Sequence, residues 1–137
     1  PRMRLLAGRV VAAHMLTDGA SFSETFASLT NTYQFDQRTA FTITMRIYRG
    51  GGLTKDAVYL RGLLHVLDYL KNGGELAPLF VGKIAAAHIP IIRELQWRNV
   101  LKPAPLQPRY MQAPQTTSRL ENVRQGCTVL DLVKTLR

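Results

Sequence analysis

The chain has 137 residues, of which 46% are hydrophobic and 20% charged, a composition that excludes overall disorder and is ordinary for a folded soluble protein. Its net charge of +9 favours a negatively charged partner, either a nucleic acid or an acidic protein segment. Cys127 is the single cysteine, which excludes an intramolecular disulfide, and no apolar stretch reaches the ~20 residues that a membrane helix needs. We therefore expect a cytoplasmic protein without a membrane segment.

The first two predicted elements are amphipathic helices. Residues 2–17 place five apolar side chains near one face, and Asp18-Gly19 ends the pattern. The next helix is predicted over residues 22–33, because Ser21 and Glu24 have the spacing of a capping box. The apolar face of the first helix consists of Leu5, Leu6, Val10, Ala13 and Leu16.

The third predicted helix covers residues 37–48 and begins after Asp36, a good N-cap residue. Apolar side chains lie on both sides of it, which indicates a central, buried helix. Its β-branched residues, such as Ile43 and Ile47, would also suit a strand. The sequence leaves both a helix and a strand open for this segment, and we predict the helix.

Three consecutive glycines, Gly50-Gly51-Gly52, then join this helix to a fourth, predicted over residues 55–71. Asn72-Gly73-Gly74 ends the fourth helix. Its core-facing residues are predicted to be Leu60, Leu63, Leu64, Leu67 and Leu70. Gly62 is predicted to make a close helix–helix contact.

The glycine segment carries the strongest functional signal. Glycines allow a left-handed backbone and close approach of another group, and Thr54 is expected to cap a helix whose unpaired N–H groups face the loop. Arg46, Arg49, Lys55 and Arg61 add positive charge on both sides of the loop. These features predict a pocket for a small anion such as a carboxylate or phosphate. A purely structural helix–loop–helix corner is the alternative, and no Gly-Lys-Ser/Thr of a Walker loop follows.

The rest of the chain has weaker signals. Residues 76–84 form a short apolar segment of helix or extended chain, and Pro90 suits the first turn of a helix ending near Trp97. Residues 102–108 are proline-rich and should be extended. The sequence turns polar after Gln112, and a last helix is predicted over residues 129–136. The fold class is therefore all-α, with a helical region over residues 1–111 and a polar tail over residues 112–137.

Six segments of the chain carry a family resemblance: residues 9–14, 18–22, 40–45, 52–62, 79–84 and 108–110. They resemble one bacterial family, the flavohaemoglobin expression-modulating QEGLA-motif proteins, which are similar to the MATCAP tyrosine carboxypeptidases. The resemblance implies the C-terminal region of a gluzincin-like zinc metallopeptidase and covers about residues 1–111, with a Gly-Gly-Leu-Thr-Lys-Asp segment that is specific.

The zinc motif of that family is not found in these residues. Family members hold zinc with a His-Glu-x-x-x-His helix followed by Gln-Glu-Gly-Leu-Ala, and both would precede Pro1. His14, His65 and His88 are too far apart in sequence to form such a helical pair. We therefore expect no metal site and no stoichiometric zinc in this chain, and zinc in the full-length protein. The chain should be inactive without its missing N-terminal catalytic portion. It should also expose apolar surface that normally meets that portion, so we expect either self-association or a marginally stable monomer.

The resemblance implies that this region forms the substrate-recognition wall of a metallocarboxypeptidase, whose substrate is the C-terminus of a peptide or protein. We expect Tyr59 to orient the scissile carbonyl or stabilise its oxyanion. The substrate carboxylate is assigned to a set around the glycines: Arg46, Arg49, Gly51, Gly52, Thr54 and Lys55. The alternative is a non-enzymatic basic module that binds nucleic acid or a protein. Nucleic acid is disfavoured because the basic residues are scattered and no zinc-finger or ribonucleoprotein motif is present.

Overall fold

The computed structural model describes residues 2–134, and all regular elements within this range are helical. The all-α prediction is confirmed, and the strand alternative for the third helix is excluded. The described residues form two compact units, with the boundary between Arg61 and Gly62. The α-helices are α1 (Arg2–Thr17), α2 (Phe22–Asn31), α3 (Gln37–Tyr48), α4 (Lys55–Lys71), α5 (Ile89–Trp97), α6 (Gln115–Arg124) and α7 (Val129–Lys134).

The core of the first unit lies where α1, α2 and α3 pack together. Leu29 and Ile47 are completely buried there. Helix α3 packs against both α1 and α2, and with four buried residues it contributes more to this core than either of them. The remaining members of the core are Ala12, Ala13, Ala40 and Ile43. On α1 the buried side includes Gly8, Ala12 and Ala13, whereas the predicted core residues Leu6 and Val10 are only half-buried.

Local capping signals set the starts of α2 and α3. The Ser21 hydroxyl accepts a hydrogen bond from the backbone N–H of Glu24, and the Glu24 carboxylate accepts from the Ser21 N–H, so the predicted capping box is confirmed. The Asp36 carboxylate accepts from the Thr39 N–H at 2.9 Å, as expected for an N-cap. Helix α2 ends at Asn31, two residues before the predicted end.

The pKa of Glu24 provides a test of the capping box. Hydrogen bonds from the Ser21 hydroxyl and backbone N–H hold this pKa below its ordinary value. The ionised carboxylate therefore stabilises the fold above its unfolded-state pKa, and this contribution is lost as the pH falls through the lower folded-state pKa. We expect Ser21→Ala to raise the pKa of Glu24 towards the ordinary value, measured by NMR titration of the carboxyl carbon. The pKa of Asp36, which is lowered by Thr39, should not move and serves as the internal control; an unchanged Glu24 pKa would contradict the prediction.

The second unit begins inside α4 at Gly62. Gly73 has a φ of 83° after α4, and the Tyr69 hydroxyl bonds the backbone of Glu75, so the predicted stop at residues 72–74 is confirmed. Leu64 is 55% exposed, so its assignment to a core is wrong for this chain. A Cβ on Gly62 would meet no atom within 4 Å, so the predicted helix–helix contact there is also absent from the described residues.

Short 3-10 helices at Ala77–Phe80 and Ala86–His88 pack against α5, and a third at Arg109–Gln112 contacts α6. Residues 102–108 contain no helix, as predicted. Helix α6 was not predicted, because its residues are mostly polar. Its half-buried side consists of Thr116, Leu120 and Val123. The helical spacing of these three residues is the sequence signal that indicates α6. The last helix is observed to residue 134, and residues 135–136 of its predicted range lie outside the described residues.

Candidate functional site: a basic cavity beside the glycine corner

The three glycines form a tight corner between α3 and α4. Gly50 and Gly52 have φ values of 78° and 81°, a left-handed backbone that favours glycine. The Gly51 N–H donates to the Arg46 carbonyl at 2.9 Å, and the Arg46 Nε donates to the Gly51 carbonyl at 3.3 Å. The corner is therefore fastened to the end of α3 through both the backbone and the side chain of Arg46.

Gly51 has no room for a side chain. A Cβ there would lie 2.5 Å from the Arg46 carbonyl oxygen and 2.9 Å from its Cγ. The group that approaches Gly51 closely is therefore Arg46 of the same chain and not a ligand. Gly51 therefore serves the geometry of the corner.

We expect Gly51→Ala to destabilise the first unit by about 1–3 kcal/mol, because the new methyl group forces a backbone carbonyl to move. The matched control is Gly62→Ala, in the exposed interior of α4, where a Cβ meets nothing within 4 Å. That change should stabilise the protein by about 0.5–1 kcal/mol, because alanine favours a helix. Chemical denaturation followed by circular dichroism measures both; a Gly51→Ala protein as stable as wild type would contradict the crowding at the corner.

A cavity of about 620 Å³ opens beside this corner, within the first unit. Its lining brings together Arg46 from α3 and Lys55 and Tyr59 from the start of α4, three residues to which the sequence assigned a substrate role. The remaining lining residues come from α1 and from the first turn of α4: Arg2, Leu5, Leu6, Arg9 and Asp56. Four basic side chains therefore face one carboxylate, which gives the cavity a net positive charge suited to an anion.

The other predicted site residues lie around this cavity and do not line it. Arg49 is the C-cap of α3 and is exposed. Thr54 directly precedes α4, where its carbonyl accepts the Val58 N–H at 3.0 Å, and it lines a neighbouring cavity of about 360 Å³. A Cβ on Gly52 would lie 3.3 Å from the Arg46 Nη2 and 3.7 Å from the Lys55 Cβ. Gly52 therefore leaves room for these two cavity-lining residues beside the corner.

The sequence did not reveal an ion pair between α1 and α4. The Arg9 Nη1 lies 3.5 Å from the Asp56 Oδ1, and the side chain of Asp56 is only 5% exposed. The Asp56 Oδ2 and the Arg9 Nε are both buried without a hydrogen-bond partner. The two residues are 47 positions apart, so no spacing rule connects them. The only local signal was an acidic residue in the first turn of α4.

Within residues 2–134, no group of three or more His, Cys, Asp and Glu side chains has an arrangement that could hold a metal ion. The described residues therefore do not fit a zinc site by themselves.

Across residues 2–134, no helix is long and apolar enough to cross a membrane.

The family model of the microtubule-associated tyrosine carboxypeptidases, MATCAP, matches residues 1–127. The chain belongs to this family. No curated protein and no solved structure shows a significant match to the chain. The MATCAP match confirms the resemblance seen in the sequence and extends beyond residue 111, through α6 to Cys127. Both the basic cavity and the glycine corner fall within the MATCAP match.

Proposed function

We propose that this chain forms the substrate-recognition wall of a zinc carboxypeptidase of the gluzincin type, which removes the C-terminal residue of a peptide or protein. The observation that carries the proposal is the common lining of one basic cavity by Arg46, Lys55 and Tyr59. The MATCAP match supports the reaction class and points to tyrosine as the residue removed. The zinc ligands come from residues outside this chain, which is inactive alone.

In this proposal the basic side chains hold the terminal carboxylate of the substrate. Lys55 supplies a compact positive charge, while Arg46 uses its Nε to hold the corner and offers its terminal nitrogens to the carboxylate. A fixed carboxylate sets the distance from the substrate terminus to the bond that is cleaved, which is how a carboxypeptidase selects the last peptide bond. Gly51, Gly52 and Thr54 shape the corner that positions Arg46 and Lys55, and Arg49 adds positive charge nearby.

Tyr59 is placed one helical turn after Lys55, on the same side of α4. Its side chain lines the cavity and the residue is 48% exposed, so a ligand can reach the hydroxyl. In this proposal the hydroxyl donates a hydrogen bond to the scissile carbonyl oxygen, which becomes more negative in the transition state.

The test uses the full-length protein and one peptide ending in tyrosine, with either a free carboxylate or a carboxamide at its terminus. We expect tyrosine to be released from the free peptide at a rate at least tenfold higher, because the carboxamide has no charge for Lys55 and Arg46 to bind. Mass spectrometry of the shortened peptide measures release. Equal cleavage of the two peptides, or no cleavage of either, would contradict the proposed function.

A further inference from the structure

Asp56, which lines the basic cavity, has an unused hydrogen-bond acceptor. Its side chain is 95% buried, its Oδ1 faces Arg9, and its Oδ2 has no hydrogen-bond partner. A buried polar atom without a partner is a rare exception in folded proteins, because it has lost its bonds to water and gained none. Because Asp56 lines the basic cavity, a ligand bound there lies beside the residue whose carboxylate has this open acceptor.

Arg9 does not satisfy the carboxylate. The pair has a single contact of 3.5 Å and not the two parallel hydrogen bonds of a bidentate arginine, and the Arg9 Nε is itself buried without a partner. Arg9 therefore fixes one oxygen of Asp56 by charge and leaves the other open. It acts as a positioning residue for the carboxylate.

The charges around Asp56 restrict what the donor can be. Arg2, Arg9, Arg46 and Lys55 line the same cavity, so a metal cation or an ammonium group would be repelled by four positive side chains. A neutral N–H donor carried by an anionic ligand satisfies both requirements. The last residue of a peptide has this combination, since its amide N–H and its carboxylate are attached to the same carbon atom.

We propose that Asp56 accepts a hydrogen bond from the amide N–H of the terminal residue while the basic side chains hold its carboxylate. The cavity then selects an N-acylated amino acid, as found at a peptide C-terminus, over a carboxylic acid without that N–H. This inference rests on the proposed function, because it uses the same bound terminus. It adds a specificity-determining residue to which the sequence assigned no role.

The direct test compares three small ligands by isothermal titration calorimetry on the full-length protein. The first is N-acetyltyrosine, the second is its ester analogue with oxygen in place of the N–H, and the third is N-acetyltyrosine amide. We expect the first to bind at least about tenfold more tightly than the second, because the oxygen analogue leaves the Asp56 Oδ2 without a donor and places two acceptors together. The first should also bind at least about tenfold more tightly than the third, which lacks the carboxylate.

Asp56→Asn gives the residue-specific readout. An asparagine that keeps its oxygen towards Arg9 presents an NH₂ group where Oδ2 was, so the cavity gains a donor in place of an acceptor. The preference for N-acetyltyrosine over the oxygen analogue should disappear or reverse in this variant. Asp68→Asn, an exposed position on the same helix α4, makes the same charge change and should keep the wild-type preference.

The outcomes separate the two proposals. The role of Asp56 is overturned if the wild-type protein binds N-acetyltyrosine and its oxygen analogue with equal affinity, and this result does not depend on whether the Asp56→Asn protein folds. It is also overturned if a folded Asp56→Asn variant keeps the wild-type preference for N-acetyltyrosine. If the protein prefers N-acetyltyrosine over the oxygen analogue but binds N-acetyltyrosine amide equally well, the proposed function is overturned and the role of Asp56 as a hydrogen-bond acceptor is retained. Failure of all three ligands to bind at millimolar concentration overturns both.

Discussion

Replacing Asp56 by alanine is expected to lower the free energy of unfolding by about 3 kcal/mol, because it leaves the half-buried guanidinium of Arg9 without its counter-charge. The change also removes an acidic residue from the first turn of α4, where it interacts favourably with the helix dipole. Urea denaturation of wild type and variant measures the difference. The effect should appear in the unfolding of the first unit, which contains both partners.

A double variant separates the pair from its members. Arg9→Met combined with Asp56→Leu removes both charges and fills the space with apolar atoms, so most of the lost stability should return. Asp18→Ala, at an exposed position, is the matched control for loss of one carboxylate and should change stability by no more than about 0.5 kcal/mol. An Asp56→Ala protein that unfolds at the same urea concentration as wild type would show that the pair contributes nothing.

Replacing Lys55 by alanine in the intact enzyme is expected to reduce kcat/KM on a free peptide terminus by about ten- to a hundredfold. This corresponds to the loss of one charge-assisted contact, about 1.5–3 kcal/mol. Stability should change little, because the residue is exposed and a lysine in the first turn of a helix is mildly disfavoured by the dipole. Steady-state kinetics on peptides with a free and an amidated terminus measure the effect.

The comparison between the two peptides decides what Lys55 does. Only cleavage of the free peptide should suffer, since the amidated terminus never had the contact. Lys83→Ala removes the same charge from an exposed position in the second unit and should leave both rates unchanged. If Lys55→Ala reduces kcat/KM equally on both peptides, Lys55 does not bind the substrate carboxylate and instead has a general role in the corner.

Elements with strong local signals were predictable from the sequence. The capping residues Ser21 and Asp36 fixed two helix starts, and the two glycine segments fixed the ends of α3 and α4. Such signals act within a few residues, so one sequence is enough to read them. Helix α6 has no side-chain hydrogen bond at its N-cap and little apolar content, and it packs against the 3-10 helix that precedes it.

Features that depend on distant side chains could not be predicted. Helix α2 ends before its predicted limit, and the Arg4 Nη2 binds the carbonyls of Tyr33 and Gln34 just beyond that end, although Arg4 is about 30 positions away. The contact between Arg9 and Asp56 joins residues that are still farther apart, by 47 positions. The sequence therefore indicated two of the four basic residues that line the cavity, Arg46 and Lys55. The contributions of Arg2, Arg9 and Asp56 depend on α1 lying beside the start of α4.

The double attachment of Arg46 to the glycine corner limits how this site can change during evolution. One guanidinium both braces the loop and belongs to the charged lining, so a substitution that alters ligand preference at this position also loosens the turn. Lysine would keep the charge but has no Nε–H in the same place to hold the Gly51 carbonyl. We therefore expect differences in specificity to arise at Lys55 and Tyr59, which make no such brace, and Arg46 and Gly51 to be retained or lost together.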